Sequence, residues 1–141
     1  MSETVRFGLT VPTDRRFHEM VRTFCVRVAT YLGYGDGDAE AIGQIVEQVI
    51  EGVTEHVFAG APHERVHVSV AKGGGEMEIR VQYREASGKG SGAGSGHVER
   101  WLLRQRGGDV PLELMRRVMA RVEFGREAGT EFCRLTSPLP D

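Results

Sequence analysis

Two rows of residues on one predicted helix carry side chains that could do chemistry. Gln48, Gly52 and His56 follow one another at four-residue steps, and Glu47, Glu51 and Glu55 form a second row displaced by one position. Residues four apart share a helix face. The acidic row could therefore present carboxylates that accept a proton or hold a hard cation. The first row has less to offer, because an amide has no proton-accepting pKa near neutrality and glycine has no side-chain oxygen. Exposed acids at this spacing are ordinarily a solvated surface, and a histidine in such a place is more often packed or hydrogen-bonded than a ligand. Gly52 costs roughly 1 kcal/mol in a helix interior relative to Ala, so a close approach of backbone or ligand is expected to offset it.

The helix that positions these rows is defined by Ile42, Ile45, Val46, Val49, Ile50, Val53 and Val57, an apolar stripe at three- and four-residue steps. Asp36 or Asp38 opens it, and it is expected to run to about Phe58, before the loop Gly60-Ala61-Pro62. Upstream, Val5 to Val11 alternates as a strand and ends at Pro12, after which Asp14 can cap a helix. Phe17, Met20, Val21, Phe24, Cys25, Val28, Tyr31 and Leu32 give that helix its stripe, and Gly33 ends it. Downstream, Val66, Val68 and Val70 alternate, as do Met77, Ile79, Val81 and Tyr83, around the turn Lys72-Gly73-Gly74-Gly75-Glu76. This pattern predicts a β-hairpin. Pro111 to Ala120 reads as a short helix with Leu112, Met115, Val118 and Met119 inward, and Val122 to Phe124 with Glu131 to Leu135 as a closing strand pair. The order strand, two helices, hairpin, helix, two strands implies an α+β two-layer sandwich, with helices on one face of a mostly antiparallel mixed sheet.

The chain has 141 residues, 40% hydrophobic and 27% charged, which suits a single domain over 1–141 with a flexible Gly/Ser-rich insertion at about 86–108. A formal net charge of -2 and a pI near 6.2 give no electrostatic reason to expect nucleic acid or an anionic membrane as partner. No apolar run reaches the roughly 18 residues of a membrane span, and Met1-Ser2-Glu3-Thr4 does not open a secretory signal. A cytoplasmic protein is expected. Cys25 and Cys133 lack metal-ligand spacing and read as reduced, packed thiols; His63 and His67 lack further ligands. After the insertion, His97 to Arg106 forms a short amphipathic piece. It reads as a lid folding back on the domain or, through Trp101, Leu102, Leu103 and Arg104, as an anchor for a protein partner.

The helix frame, the element order over roughly residues 5 to 136, and the run Leu114 to Phe124 followed by Gly129-Thr130 together resemble the serine kinases that act as anti-sigma factors in bacteria. These belong to the gyrase, histidine-kinase and mismatch-repair ATPase superfamily with the Bergerat fold. In that family the helix carries an acidic pair, then Asn, then His four residues later; here those positions read Glu47-Gln48, Gly52 and His56. The resemblance implies a histidine-kinase-like ATPase fold, a base at the position of Gln48 and a magnesium ligand at that of Gly52. It also implies an Asp-x-Gly-x-Gly box reading adenine, matched by Glu85-Ala86-Ser87-Gly88-Lys89, and a phosphate-cradling glycine box, matched by Gly107-Gly108-Asp109-Val110-Pro111. By this match Gly52, His56, Glu85, Gly88, Gly107, Gly108 and Thr130 would contact nucleotide, with ATP and magnesium as cofactors. Gln48, Gly52, the replaced glycines at Ser87 and Lys89, and Asp109 with Pro111 all depart from the pattern. Family members sequester sigma factors and phosphorylate a Ser or Thr of anti-anti-sigma proteins. The resemblance thus implies a regulatory, partner-binding relative whose kinase activity is weak or lost. The competing expectation is an active Mg-ATP-dependent serine/threonine kinase rebuilt on Glu47, Glu51, Glu85 and arginines of 97–106. A dimerisation module, associating as a homodimer, is the third.

Overall fold

The computed structural model describes residues 5–54, 64–84 and 119–140. Strand β1 (Val5–Pro12) alternates as its sequence does: Arg6, Gly8 and Thr10 are exposed, while Phe7, Leu9 and Val11 lean on the core. Asp14 then caps a 3-10 turn at Arg15–Phe17 by accepting a hydrogen bond from the Arg16 main-chain N–H at 2.9 Å. Helix α1 (His18–Tyr31) follows and stops at Gly33, whose φ of 108° suits glycine. Helix α2 (Asp36–Gly52) places Asp36 and Asp38 in its first turn, where the positive end of the helix dipole favours them. Its last residues open into a wider π-type turn at Val53 and Thr54.

The strands β2 (Arg65–Gly73) and β3 (Glu76–Arg84) form the expected hairpin, with a tighter turn than the sequence suggested. Only Gly74 and Gly75 lie outside the strands, at φ of 60° and 78°, the two consecutive positive values that match the twist of a hairpin. Strands β4 (Arg121–Glu127) and β5 (Thr130–Pro138) also run longer than their apolar cores and turn through Ala128-Gly129. The described strands make one five-stranded sheet in the order β1-β2-β3-β5-β4. Every described pairing is antiparallel, so the mixed component of the expectation is absent among these strands.

One face of the sheet meets the helices. Val66, Val68, Val70, Met77, Ile79, Val81, Cys133 and Leu135 are buried against Val21, Cys25, Ile42, Ile45, Val46, Val49, Ile50 and Val53. This is the two-layer α+β sandwich that the pattern implied. Two expectations change. The apolar stripe of α1 is wider than the covered face, for Val21, Cys25, Val28 and Ala29 are buried whereas Met20 is 50% and Tyr31 74% exposed. The predicted helix ending at Ala120 does not reach that residue: Met119 is buried, but Ala120 already donates its N–H to Thr136 O at 2.8 Å, joining the sheet edge. The remainder of that helix, with Glu55, His56, His63, Glu85, Gly88, Trp101, Leu102, Leu103, Arg104, Gly107 and Gly108, lies outside the described residues.

Candidate functional site

The crossing of α1 and α2 decides where the helix's polar rows point. Gly43 makes that crossing close: a Cβ there would fall 2.5 Å from Val26 Cγ2 and 3.1 Å from the Arg22 carbonyl oxygen. With the helices so near, Arg22 reaches across to α2, placing its guanidinium 3.5 Å from Glu40 and 3.7 Å from Glu47. Burial pushes the Glu47 carboxyl above the usual carboxylate range, and Arg22 partly opposes that shift. The row Glu47-Glu51 thus faces α1. Glu51 lies near His18 at the start of α1, where its charge favours the protonated ring.

His18 is a feature that the sequence did not single out. Its Nε2 sits 3.1 Å from the Thr54 hydroxyl, which donates its one proton to Ile50 O at 2.9 Å. The hydroxyl therefore accepts, and His18 carries its proton on Nε2. This contact ties the first residue of α1 to the π-type turn after α2. Burial lowers the His18 pKa; Glu51 and Asp14 pull it up, and Arg15 pushes it further down.

Gln48 is half-buried and Gly52 buried, one turn apart on α2. Neither brings a carboxylate, and Gly52 brings no side chain. Glu47, the acid beside them, turns to Arg22. Among the described residues, Gly52 supplies no oxygen of its side chain to a magnesium ion, which needs oxygen ligands in near-octahedral order. Among the described residues no group of three His, Cys, Asp or Glu side chains is placed to hold a metal ion. Thr130, half-buried, opens β5 opposite Arg84 and Glu127.

A second polar feature lies on the inner sheet face. Glu131 is 1% exposed and stands directly across from Tyr83, itself 3% exposed. Burial first, and then the adjacent Glu131 and Cys133, drive the Tyr83 pKa upward, and the phenol is hydrogen-bonded to Glu131. Period two would have flagged Glu131, since it falls in phase with the inward Cys133 and Leu135. Cys25, buried in the core with its pKa pushed up to about 12, has no thiolate character at neutral pH. Cys133 is also a free, buried thiol.

The outer sheet face is polar. Phe132 lies across Gly125, where a Cβ would come within 2.8 Å of the ring, and Arg80 stacks 4.2 Å from the ring centre. Arg134 pairs with Glu123 at 3.1 Å and Arg80 with Glu127 at 3.3 Å. No described helix is long and apolar enough to cross a membrane.

No family model matches the chain, and no curated protein matches it by sequence. Solved structures do match. The crystal structure of the RsbU and RsbW domains of Rv1364c from Mycobacterium tuberculosis superposes with a TM-score of 0.64 over 96% of this chain and 32% of that chain, at 17% identity. The chain therefore spans about a third of the length of that solved one. The likeness establishes the fold, and it agrees with the histidine-kinase-like ATPase architecture that the sequence resemblance implies.

Proposed function

We propose that this chain is a regulatory domain of the anti-sigma kind that acts by binding a protein partner, with ATP binding and phosphoryl transfer weak or lost. One observation carries the reading. On α2 the matched magnesium position is the buried, side-chain-less Gly52, the matched base is the amide of Gln48, and the nearby acid Glu47 is drawn to Arg22. General base work at the matched position needs a carboxylate, and the amide of Gln48 has no proton-accepting pKa near neutrality.

The partner class is a sigma factor or an anti-anti-sigma-like protein, met in the cytoplasm, without nucleic acid or membrane. Trp101, Leu102, Leu103 and Arg104 are the residues we assign to that contact, because Trp and Arg carry a disproportionate share of interface energy. The alternative reading is an active Mg-ATP-dependent serine/threonine kinase. The shared fold favours it, and it requires that residues outside α2 supply the metal ligands.

Calorimetric titration with ATP and ADP, with and without magnesium, separates the two. The regulatory reading expects affinity weaker than ~0.1 mM, nearly indifferent to magnesium. Micromolar ATP binding that collapses on chelation would establish the kinase instead.

A further inference from the structure

We propose that the outer face of the sheet, the side turned away from the helices, binds an extended acidic segment of a protein partner, with Arg80 and Arg134 receiving carboxylates from alternate residues of that segment. This deepens the partner-binding reading and rests on it; the ATP titration that decides that reading does not involve this face.

The two layers differ in charge. At the outward positions of the five strands stand six arginines but only four glutamates, Glu76, Glu78, Glu123 and Glu127. The 3-10 turn, α1 and α2 carry four arginines against six acids. The sheet face is thus positive in a chain whose net charge is -2, and it attracts an acidic surface that the helical layer repels. Position sharpens the asymmetry. The outward residues of β1 and β2 include Arg6, Arg65 and His67 and no acid, whereas Glu123 and Glu127 sit on the opposite edge strand, β4.

At the centre of this face Arg80 on β3 stands directly across from Arg134 on β5. Like charges so opposed destabilise a sheet. The ring of Phe132 holds the pair, its centre 4.2 Å from the Arg80 guanidinium carbon and 5.6 Å from that of Arg134, so the two guanidiniums are at most about 10 Å apart. Arg80 leans to Glu127 and Arg134 to Glu123, contacts that are partly exposed and therefore weak against a better-placed acid. The Arg80 Nε–H is enclosed without a hydrogen-bond acceptor, so the sheet leaves part of this guanidinium unsatisfied.

An extended acidic chain fits these arginines. Its alternate residues point to one side about 6.8 Å apart, within reach of both guanidiniums, and the planar fork of arginine grips a carboxylate through two N–H groups. Arginine and aromatic side chains are also the types enriched at interface centres. Among the described residues no element covers the face. Five strands about 4.8 Å apart and some seven residues at about 3.4 Å each span roughly 600 Å², of the order of the ~800 Å² that one partner contributes to a stable interface.

The test is a nuclear magnetic resonance titration of the nitrogen-15-labelled full chain at about 0.15 M salt. The probe is a synthetic peptide of about twelve residues alternating Glu and Thr, beside one of the same composition with its glutamates in a single run. Saturable shifts are expected at β3 and β5 around Arg80, Phe132 and Arg134, with the alternating peptide bound at least about threefold tighter. Arg80→Gln with Arg134→Gln should weaken binding at least about tenfold with an unchanged circular-dichroism spectrum, while Arg27→Gln, on the exposed side of α1, should change it less than about twofold. Mapping on the unaltered chain keeps the answer clear if the double variant misfolds. Absence of saturable binding up to roughly 1 mM, shifts confined to the helices, or equal losses in Arg27→Gln and the double variant would each overturn the proposal. So would tighter binding of an oligothymidylate of about the same length, which would make the face a phosphate-backbone site instead.

Discussion

At the scale of the residue, His18 is the side chain with the clearest measurable consequence. It is buried, donates through Nε2 to Thr54, and faces Glu51 from α2 and Arg15 and Asp14 from the turn before it. Its pKa in the folded protein is lowered, chiefly by burial. The unfolded chain therefore binds this proton more readily, and the stability that neutral His18 contributes is present above the ordinary histidine value of about 6.5 and is lost as pH falls through the lower folded one. Glu47 acts with the opposite sign, because its raised pKa favours the folded state below the ordinary carboxylate range and loses that advantage as pH rises through the folded value. The urea midpoint should therefore decline as pH drops below about 6.5, and His18→Asn should flatten that decline. An unaltered profile in the variant would show that His18 does not titrate in this window. Nothing in the sequence marked this residue, for its partner Thr54 is 36 positions away and only the packing of the two helices brings them together. Glu131 was legible in principle from its alternation with the inward Cys133 and Leu135.

Among the elements, α2 shows how one residue type takes opposite signs by position. Gly43 sits within the buried stripe at the crossing with Val26 and Arg22, whereas Gly37, in the first turn, has no neighbour within 4 Å of where a Cβ would lie. Alanine gains about 1 kcal/mol of helix propensity over glycine at either place. At Gly43 that gain meets overpacking against a main-chain carbonyl, typically ~1–3 kcal/mol, so Gly43→Ala should lower the melting temperature by several degrees. Gly37→Ala should raise it. Equal and positive shifts at both sites would mean that the helices part without cost. The elements themselves were largely readable, because strand alternation and helical spacing survive on the two faces that meet in the core. What the spacing could not show is which part of a broad stripe is covered: Met20 and Tyr31 belong to the same periodic row as Val21 and Val28 and yet remain outside. Nor did it show that Glu47 turns to Arg22, since that depends on how closely Gly43 lets the helices approach.

For the whole molecule, the regulatory reading makes the partner the arbiter. Trp101→Ala should abolish co-purification of the native partner while leaving the melting temperature nearly unchanged, since truncating a hot-spot aromatic typically costs ~2 kcal/mol, about thirtyfold in affinity. A variant that melts several degrees lower and still captures that partner would make Trp101 a structural residue. The sheet order has a separate consequence for how the chain reaches this form. β5 inserts between β3 and β4, pairing Tyr83 with Glu131 and Glu76 with Pro138, so the centre of the sheet joins segments that are distant along the chain. Its closure is a loop-entropy event that no local hairpin can pre-empt, and it sets refolding among the slower, non-local class. Loop entropy grows only with the logarithm of length, about 0.6 kcal/mol for each doubling. A change of length between β3 and β4 therefore alters the cost of closure little, and the register of β3 with β5 is left to the strands themselves.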